Sequence, residues 1–139
     1  VVEGLEELRQ GIAALKESQP KNWLKAFASY YLGYKRTCDL GDSCALPSLS
    51  PDVMRADDKT RNIYTVELKK LIAAVATGLP ENKGANLTKT AAEDQAILLL
   101  AMLSGGVTIA RAVSDPALSE RIAEVIEKAA LTIGSPSNP

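Results

Sequence analysis

Apolar residues recur three or four positions apart along most of this chain, and no segment alternates between apolar and polar residues as a strand does. This spacing is typical of amphipathic α-helices. The stripe that opens the chain consists of Val1, Leu5, Leu8, Ile12 and Leu15. It predicts a first helix that ends near Lys16.

Proline, glycine and helix-capping residues divide the rest of the chain into further helices. Ser50-Pro51 and Asp115-Pro116 each offer a capping side chain followed by a proline suited to the first helical position. Thr90 opens a sequence that matches a capping box. The further helices are predicted over residues 21–34, 51–56, from Asp57 or Asp58 to Gly78, 90–113 and 116–133.

The fifth predicted helix is apolar nearly all round. Its uncharged run, Gln95–Ala110, has 16 residues, and this is short of the roughly 20 that cross a bilayer. We therefore expect a buried core helix and no membrane partner. A helix with apolar residues on every side has to be covered on several sides. One side can pack on its own subunit and another on a second subunit.

The composition favours one soluble all-α domain of about six helices. The 139 residues are 46% hydrophobic and 24% charged, and a chain of this length can bury a core without a metal or a disulfide. The 16 Lys and Arg against 17 Asp and Glu leave a net charge of −1. A nucleic-acid binder normally carries a basic excess that neutralises phosphates, so we exclude a free-standing one.

The chain contains no histidine. This excludes imidazole acid–base catalysis, Ser-His and Cys-His nucleophiles, and zinc sites with histidine ligands. The sequence also shows neither a Gly-rich phosphate loop nor clustered carboxylates. We therefore expect a protein that is not an enzyme and that holds no metal or cofactor.

Two cysteines, Cys38 and Cys44, lie six positions apart. A disulfide between them would close a short loop, but the chain shows neither a signal peptide nor a multi-cysteine framework. We therefore expect two reduced thiols in a cytoplasmic protein. Cys44 could react with an oxidant, although a loop thiol without an adjacent base is more often inert.

Two segments resemble the effector domains of TetR-family transcriptional regulators. The run from Ile109 to Ile122, IARAVSDPALSERI, closely resembles the junction between the last two helices of these regulators. The run from Cys44 to Leu49, CALPSL, followed by Tyr64-Thr65 and an apolar stripe, is similar to their loop-and-helix segment. With the aromatic helix before them, the resemblance covers Asn22–Ile133.

The chain departs from the family pattern in two places. A family member carries a helix-turn-helix DNA-binding domain before the first helix seen here, and these 139 residues contain none. The position before Cys44 is often glycine in the family and is Ser43 here. The backbone of this loop need not follow the family for that reason.

The resemblance implies that different parts of the chain have different roles. Residues 1–17 correspond to the helix that links the DNA-binding and effector domains, and residues 22–80 to the ligand-pocket helices. Residues 88–133 correspond to the dimerisation helices, and residues 134–139 to a flexible tail. The last two long helices would form a four-helix interface with those of a second subunit.

Five of the six aromatic residues lie in the second predicted helix. Their spacing places Trp23, Phe27, Tyr30 and Tyr34 on one face of it, with Tyr31 beside them. These rings can be core residues, or they can line a pocket for an apolar or aromatic small molecule that also gives the tyrosine hydroxyls polar partners. The candidate ligand-binding residues are Trp23, Phe27, Tyr30, Tyr31, Tyr34, Leu46, Met54, Tyr64, Leu68 and Met102.

The sequence Ser104-Gly105-Gly106 interrupts the fifth helix at a cost of about 1 kcal/mol per glycine. The glycines permit either a kink or close packing within the subunit, or the close approach of a symmetry mate. Arg111 and Asp115, four positions apart, predict an ion pair or a dipole contact at this helix end. The candidate dimer-interface residues are Leu99, Leu103, Gly106, Ile109, Val113, Leu118, Ile122, Val125 and Ile126.

The resemblance implies the ligand-sensing and dimerisation domain of a TetR-like regulator, which we expect to be a repressor. A small molecule held between the second and fourth helices would favour one orientation of the first helix and change the separation of two DNA-reading domains. DNA would be contacted only through the absent helix-turn-helix domain. The alternative is a helical small-molecule carrier or protein-interaction module without a DNA partner.

Overall fold

The computed structural model describes residues 2–38, 45–79 and 88–133, and within these ranges the chain forms six α-helices and no strand. The prediction of an all-α protein with about six helices is confirmed. The helices are α1 Val2–Ser18, α2 Trp23–Thr37, α3 Ala45–Val53, α4 Asp58–Ala76, α5 Lys89–Ala112 and α6 Pro116–Ile133. The predictions on Val1, on Ser43 and Cys44, and on the tail 134–139 lie outside the described residues.

Side-chain caps start α4 and α6 where the sequence predicts them. Asp57 accepts a hydrogen bond from the backbone N–H of Thr60 at 2.8 Å, and Asp115 accepts one from the N–H of Ala117 at 2.9 Å. Hydrogen bonds from Thr60 lower the pKa of the Asp57 carboxyl, because they stabilise its charged form. Each cap satisfies an amide that has no partner inside its helix.

The ends of two helices differ from the predictions. α5 begins after Thr88, whose hydroxyl accepts a hydrogen bond from the N–H of Ala91 at 3.1 Å. Thr88 is therefore the cap, and the prediction of Thr90 is wrong. α2 continues to Thr37 and not only to residue 34, because a side chain from α5 binds its last carbonyl groups, as described below.

The third helix covers Ala45–Val53 and not residues 51–56. Pro47 falls in its first turn, where a residue needs no N–H because the helix offers no partner for it. The hydroxyl of Ser50 donates to the carbonyl of Leu46 one turn earlier. Ser50 therefore lies inside the helix, where its hydroxyl bonds to the carbonyl four residues earlier, and it does not cap a helix that starts at Pro51.

α5 is the central helix of the fold. It packs against α2, α3, α4 and α6, whereas α1 packs against α4 and α2. α5 is long and apolar enough to cross a bilayer by length and composition alone, and the core helix of a globular protein passes the same test. Its buried side contributes several residues to the core. The largest side chains that are almost fully buried are Leu5, Ile12, Tyr31, Leu71, Val75, Leu99, Leu103 and Val107.

Lys16 and Trp23 attach the end of α1 to the end of α4. The Lys16 ammonium donates to the carbonyl of Ala74 and to the hydroxyl of Thr77, and a positive charge is favourable at this helix C-terminus. It also lies 5.0 Å from the centre of the Trp23 ring, whose Nε1 donates to the carbonyl of Gly78 at 2.9 Å. Burial lowers the pKa of Lys16. A Cβ at Gly78 would collide with both side chains, so only glycine fits there without a shift.

Arg111 attaches α5 to α2. Its Nη1 donates to the carbonyls of Lys35 and Arg36, both at 2.9 Å, and its Nη2 donates to the carbonyl of Cys38 at 2.7 Å. These carbonyls lie at the C-terminus of α2, where the helix itself offers no donors. Arg111 was predicted to contact Asp115 at the end of its own helix. It instead caps the C-terminus of the neighbouring helix α2.

Gly106 sets the distance between α5 and α6. It is buried, and a Cβ in its place would lie 2.9 Å from Cγ1 and 3.3 Å from Cβ of Ile126 in the same chain. Because Ile126 is branched at Cβ, its side chain has few rotamers with which to retreat. Close packing within the subunit, one of the two interpretations of the glycines, therefore applies to Gly106.

We expect Gly106→Ala to destabilise the protein, because the overpacking costs about 1–3 kcal/mol against a gain in helix propensity of up to about 1 kcal/mol. Gly11→Ala is the matched control, since the site is exposed and mid-helix with no heavy atom within 4 Å of the new Cβ. It should raise the free energy of unfolding. Urea denaturation of both variants tests this, and a Gly106→Ala protein as stable as Gly11→Ala would contradict it.

Candidate ligand cavity and exposed apolar face

α3, α4 and α5 border a cavity of about 220 Å³ that is partly open to solvent. α4 supplies one wall with side chains spaced four residues apart, which a helix places on one face. α5 supplies the opposite wall, and α3 closes one end. The lining residues are Leu46, Ser50, Tyr64, Leu68, Ile72, Ile97, Leu100, Ala101 and Ser104.

The polar groups at the α3 end of the cavity form a chain of hydrogen bonds. The Ser50 hydroxyl donates to the carbonyl of Leu46, and it also lies within hydrogen-bonding distance of the Tyr64 hydroxyl. A serine hydroxyl has one proton. Both contacts are hydrogen bonds at the same time only if Tyr64 donates to Ser50.

The cavity wall is uncharged and mostly apolar. None of its nine lining residues carries a formal charge, and three of them, Ser50, Tyr64 and Ser104, carry hydroxyl groups. Ile97 is 50% exposed although it lines the cavity, and Ala101 is exposed as well. The mouth of the cavity therefore opens beside these two residues of α5.

Three of the predicted ligand-binding residues line this cavity, namely Leu46, Tyr64 and Leu68. Tyr64 and Leu68 share the inner face of α4 with Ile72. The cavity lies between α4 and α5, so the predicted location between α2 and α4 is corrected. α2 contacts α5 on another side of that helix.

The aromatic residues of α2 do not reach the cavity. Trp23, Phe27 and Tyr31 are buried in the core, with exposed fractions of 4%, 2% and 1%. Tyr30 and Tyr34 stack on one another at the surface, with ring centres 5.5 Å apart. The aromatic residues of α2 therefore lie on two faces and not on one. Tyr31 belongs to the buried face with Trp23 and Phe27, and Tyr30 and Tyr34 belong to an exposed face.

Two methionines also lie elsewhere than predicted. Met54 follows α3 and is 68% exposed, and it does not line this cavity. Met102 is half-buried against the core, on a side of α5 away from the cavity wall. The lining side chains that sequence reasoning did not assign to a pocket are Ser50, Ile72, Ile97, Leu100, Ala101 and Ser104.

A partial signal for these missed residues exists in the sequence. Ile97, Leu100, Ala101 and Ser104 recur three, one and three positions apart, so they share one side of α5. Ser104 is a polar residue within an uncharged, apolar run, so it places a hydroxyl group on this side of α5. The sequence does not indicate that α3 and α4 leave a cavity opposite this side of α5.

A second feature is an apolar surface that we call the α5–α6 face. Its residues recur four and three positions apart on each helix and lie beside the buried stripes, about one residue further round each helix. On α5 it consists of Leu98, Met102, Gly105 and Ile109, and on α6 of Leu118, Ile122, Val125 and Ala129. The most exposed of the large side chains are Ile109 and Val125, both 57% exposed.

The predicted dimer-interface residues divide between this face and the core. Leu118, Ile122, Val125 and Ile109 belong to the face. Val113 and Ile126 are half-buried beside it. Leu99, Leu103 and Gly106 are buried inside the subunit, so they offer a second subunit no surface. On this stretch of α5 the residues at the surface are Leu98, Met102 and Gly105. The two stripes of α5 are offset by one residue, or roughly 100° around the helix.

Among residues 2–38, 45–79 and 88–133 there is no group of three Cys, Asp or Glu side chains that could hold a metal ion. Cys38 is a free thiol at the end of α2, and its predicted relation to Cys44 falls outside the described residues. No family model matches this chain, and no curated protein or solved structure is significantly similar to it.

Tyr64→Phe should lower the free energy of unfolding by about 0.5–1.5 kcal/mol, because it removes one hydrogen bond and leaves the Ser50–Leu46 bond in place. Tyr34→Phe is the control, since Tyr34 is 50% exposed and its hydroxyl can remain hydrated. Thermal or urea unfolding measures both. Equal stability of the two variants would show that the Tyr64–Ser50 contact contributes nothing.

Proposed function

We propose that this chain is the ligand-sensing and dimerisation domain of a TetR-like transcriptional regulator, expected to be a repressor. One observation carries the proposal, namely that α5 borders a cavity on one side and presents an exposed apolar stripe on another. A small molecule and a second subunit would therefore meet the same helix. The resemblance of Ile109–Ile122 to the family supports the same assignment.

The α5–α6 face has the properties of a surface that pairs with a copy of itself. Both of its stripes are uncharged and lie side by side, because α5 and α6 pack together along their length. Two such helix pairs related by a two-fold axis form a four-helix interface. Gly105 supports this, since it is exposed with no heavy atom within 4 Å of a Cβ, so nothing inside the subunit requires glycine there. A residue without a side chain at this position allows a second helix to approach closely.

Val125→Glu should break the dimer. Val125 lies on the α5–α6 face and is 57% exposed in the subunit, so the substitution leaves the fold intact. In a symmetric dimer it buries two unpaired carboxylates. We expect dimerisation to weaken by at least about 100-fold, which corresponds to about 2.7 kcal/mol. Sedimentation at micromolar concentration should change from dimer to monomer.

Val66→Glu is the matched control for this experiment. Val66 is 52% exposed on α4, so the two variants share the change in charge, the helical setting and the degree of exposure. Val66→Glu should sediment as the unchanged protein does. A monomeric unchanged protein, or two variants that behave alike, would disprove the interface.

α4 is placed to pass a change in the cavity to α1. Tyr64 and Leu68 face the cavity, whereas Leu71 and Val75 are buried in the core on another side of the same helix. α1 packs along α4, and Lys16 holds the two helix ends together. A ligand that displaces α4 would therefore reorient α1, and a coupling of about 1–3 kcal/mol changes DNA affinity by about 5- to 150-fold.

The regulatory part of the proposal is tested with the whole gene product in its own cells. Chromatin immunoprecipitation of the tagged protein should enrich discrete DNA sites. Val125→Glu should abolish the enrichment and Val66→Glu should keep it, because a monomer cannot span two half-sites. Absence of enrichment for a stably dimeric protein would favour a helical small-molecule carrier over a regulator.

A further inference from the structure

We infer that the cavity selects a neutral molecule of about one ring in size that donates a hydrogen bond to Tyr64, such as a phenol or a small alcohol. This inference rests on the proposed ligand-sensing function and deepens it. It follows from the charge of the wall, the direction of its hydrogen bonds and its volume.

The wall offers no partner to a charge buried against it. None of the nine lining residues could pair with an anion or a cation. A charge moved from water into such a site without a partner loses its hydration, which costs far more than the burial of a neutral polar group. Carboxylates and amines of the same shape should therefore be rejected.

The hydrogen-bond chain determines which polar group the cavity accepts. Ser50 donates its one proton to the Leu46 carbonyl, and Tyr64 donates its one proton to Ser50. Both protons are used inside the protein, so the Tyr64 oxygen presents only lone pairs to the cavity. At the Tyr64 end of the cavity a ligand satisfies these lone pairs by donating an O–H or N–H. An ether or a ketone presents a second acceptor there and could accept a hydrogen bond only from the Ser104 hydroxyl on α5.

The volume of the cavity matches a buried group of about one ring. Drug-sized ligands occupy pockets of about 300–1,000 Å³, and an apolar cavity of about 150 Å³ holds benzene. A cavity of about 220 Å³ therefore fits one ring with one or two small substituents. Leu68, Ile72 and Leu100 would contact the ring, and the substituent would point to Tyr64.

Four probes of one shape test the inference, namely p-cresol, p-xylene, 4-methylanisole and p-toluate. The p-cresol hydroxyl can donate a hydrogen bond, and p-xylene has no polar group. The ether oxygen of 4-methylanisole can only accept a hydrogen bond, and p-toluate carries a negative charge. Each is titrated into the isotope-labelled protein, and the methyl resonances of Leu68, Ile72 and Leu100 report occupation of the cavity. The methyl groups of Leu24 and Leu32, buried on α2, serve as the internal reference.

The decisive comparison is between the unchanged protein and Tyr64→Phe, with Tyr34→Phe as control. Tyr64→Phe should weaken p-cresol binding by about tenfold, the loss of one hydrogen bond. It should change the affinity for p-xylene and 4-methylanisole by less than about twofold, because neither donates to Tyr64. Tyr34→Phe should change nothing, and p-toluate should bind to none of the three proteins.

The outcomes separate this inference from the function on which it rests. An equal loss for p-cresol and 4-methylanisole would overturn the donor requirement, and binding of p-toluate as tightly as p-cresol would overturn the exclusion of charge. In both cases the cavity would remain a ligand site. If no probe at millimolar concentration shifts the methyl groups of Leu68, Ile72 and Leu100, the inference and the ligand-sensing function both fail.

Discussion

The structure depends on the fact that α5 is apolar on nearly every side. A single helix of that kind cannot be covered by one neighbour, because a packed helix contacts only part of the circumference. The chain covers one side with α2, α4 and α6. A second side borders the cavity at Ile97 and Leu100. A third side, with Leu98 and Ile109, stays exposed, and the proposed dimer accounts for it.

Two cationic side chains at helix ends join neighbouring helices to one another. Lys16 binds the last turn of α4, and Arg111 binds the last carbonyls of α2. Each cation meets carbonyl groups that have no donor inside their own helix, so a polar requirement of one helix fixes the position of another. The two contacts join α1 to α4 and α5 to α2. On the proposed function, the contact of Lys16 would pass a displacement of α4 to α1.

The cavity and the α5–α6 face adjoin along α5. Ile97 and Ala101 line the cavity and reach the surface, and Leu98 and Met102, the next residues in the chain, belong to the face. A copy of the chain seated on that face would therefore lie close to the cavity mouth. On the proposed function, occupation of the cavity and association of subunits would act on the same turns of one helix, which is a physical route for linkage between them.

The sequence by itself determined the number of helices and, to within a few residues, the positions of all of them except α3, because their 3.6-residue periodicity and the caps at Asp57 and Asp115 are local properties. It also determined that the longest helix needed cover on several sides. Only the tertiary structure decided which side met which neighbour. The sequence pattern cannot distinguish two apolar stripes that are one residue apart, such as those of Leu98 and Leu99. The packing of α6 against Gly106 decides which of the two stripes is buried. The sequence pattern was equally unable to show that Tyr31 is buried and Tyr30 exposed. The cavity depended on how three helices from distant parts of the chain packed together.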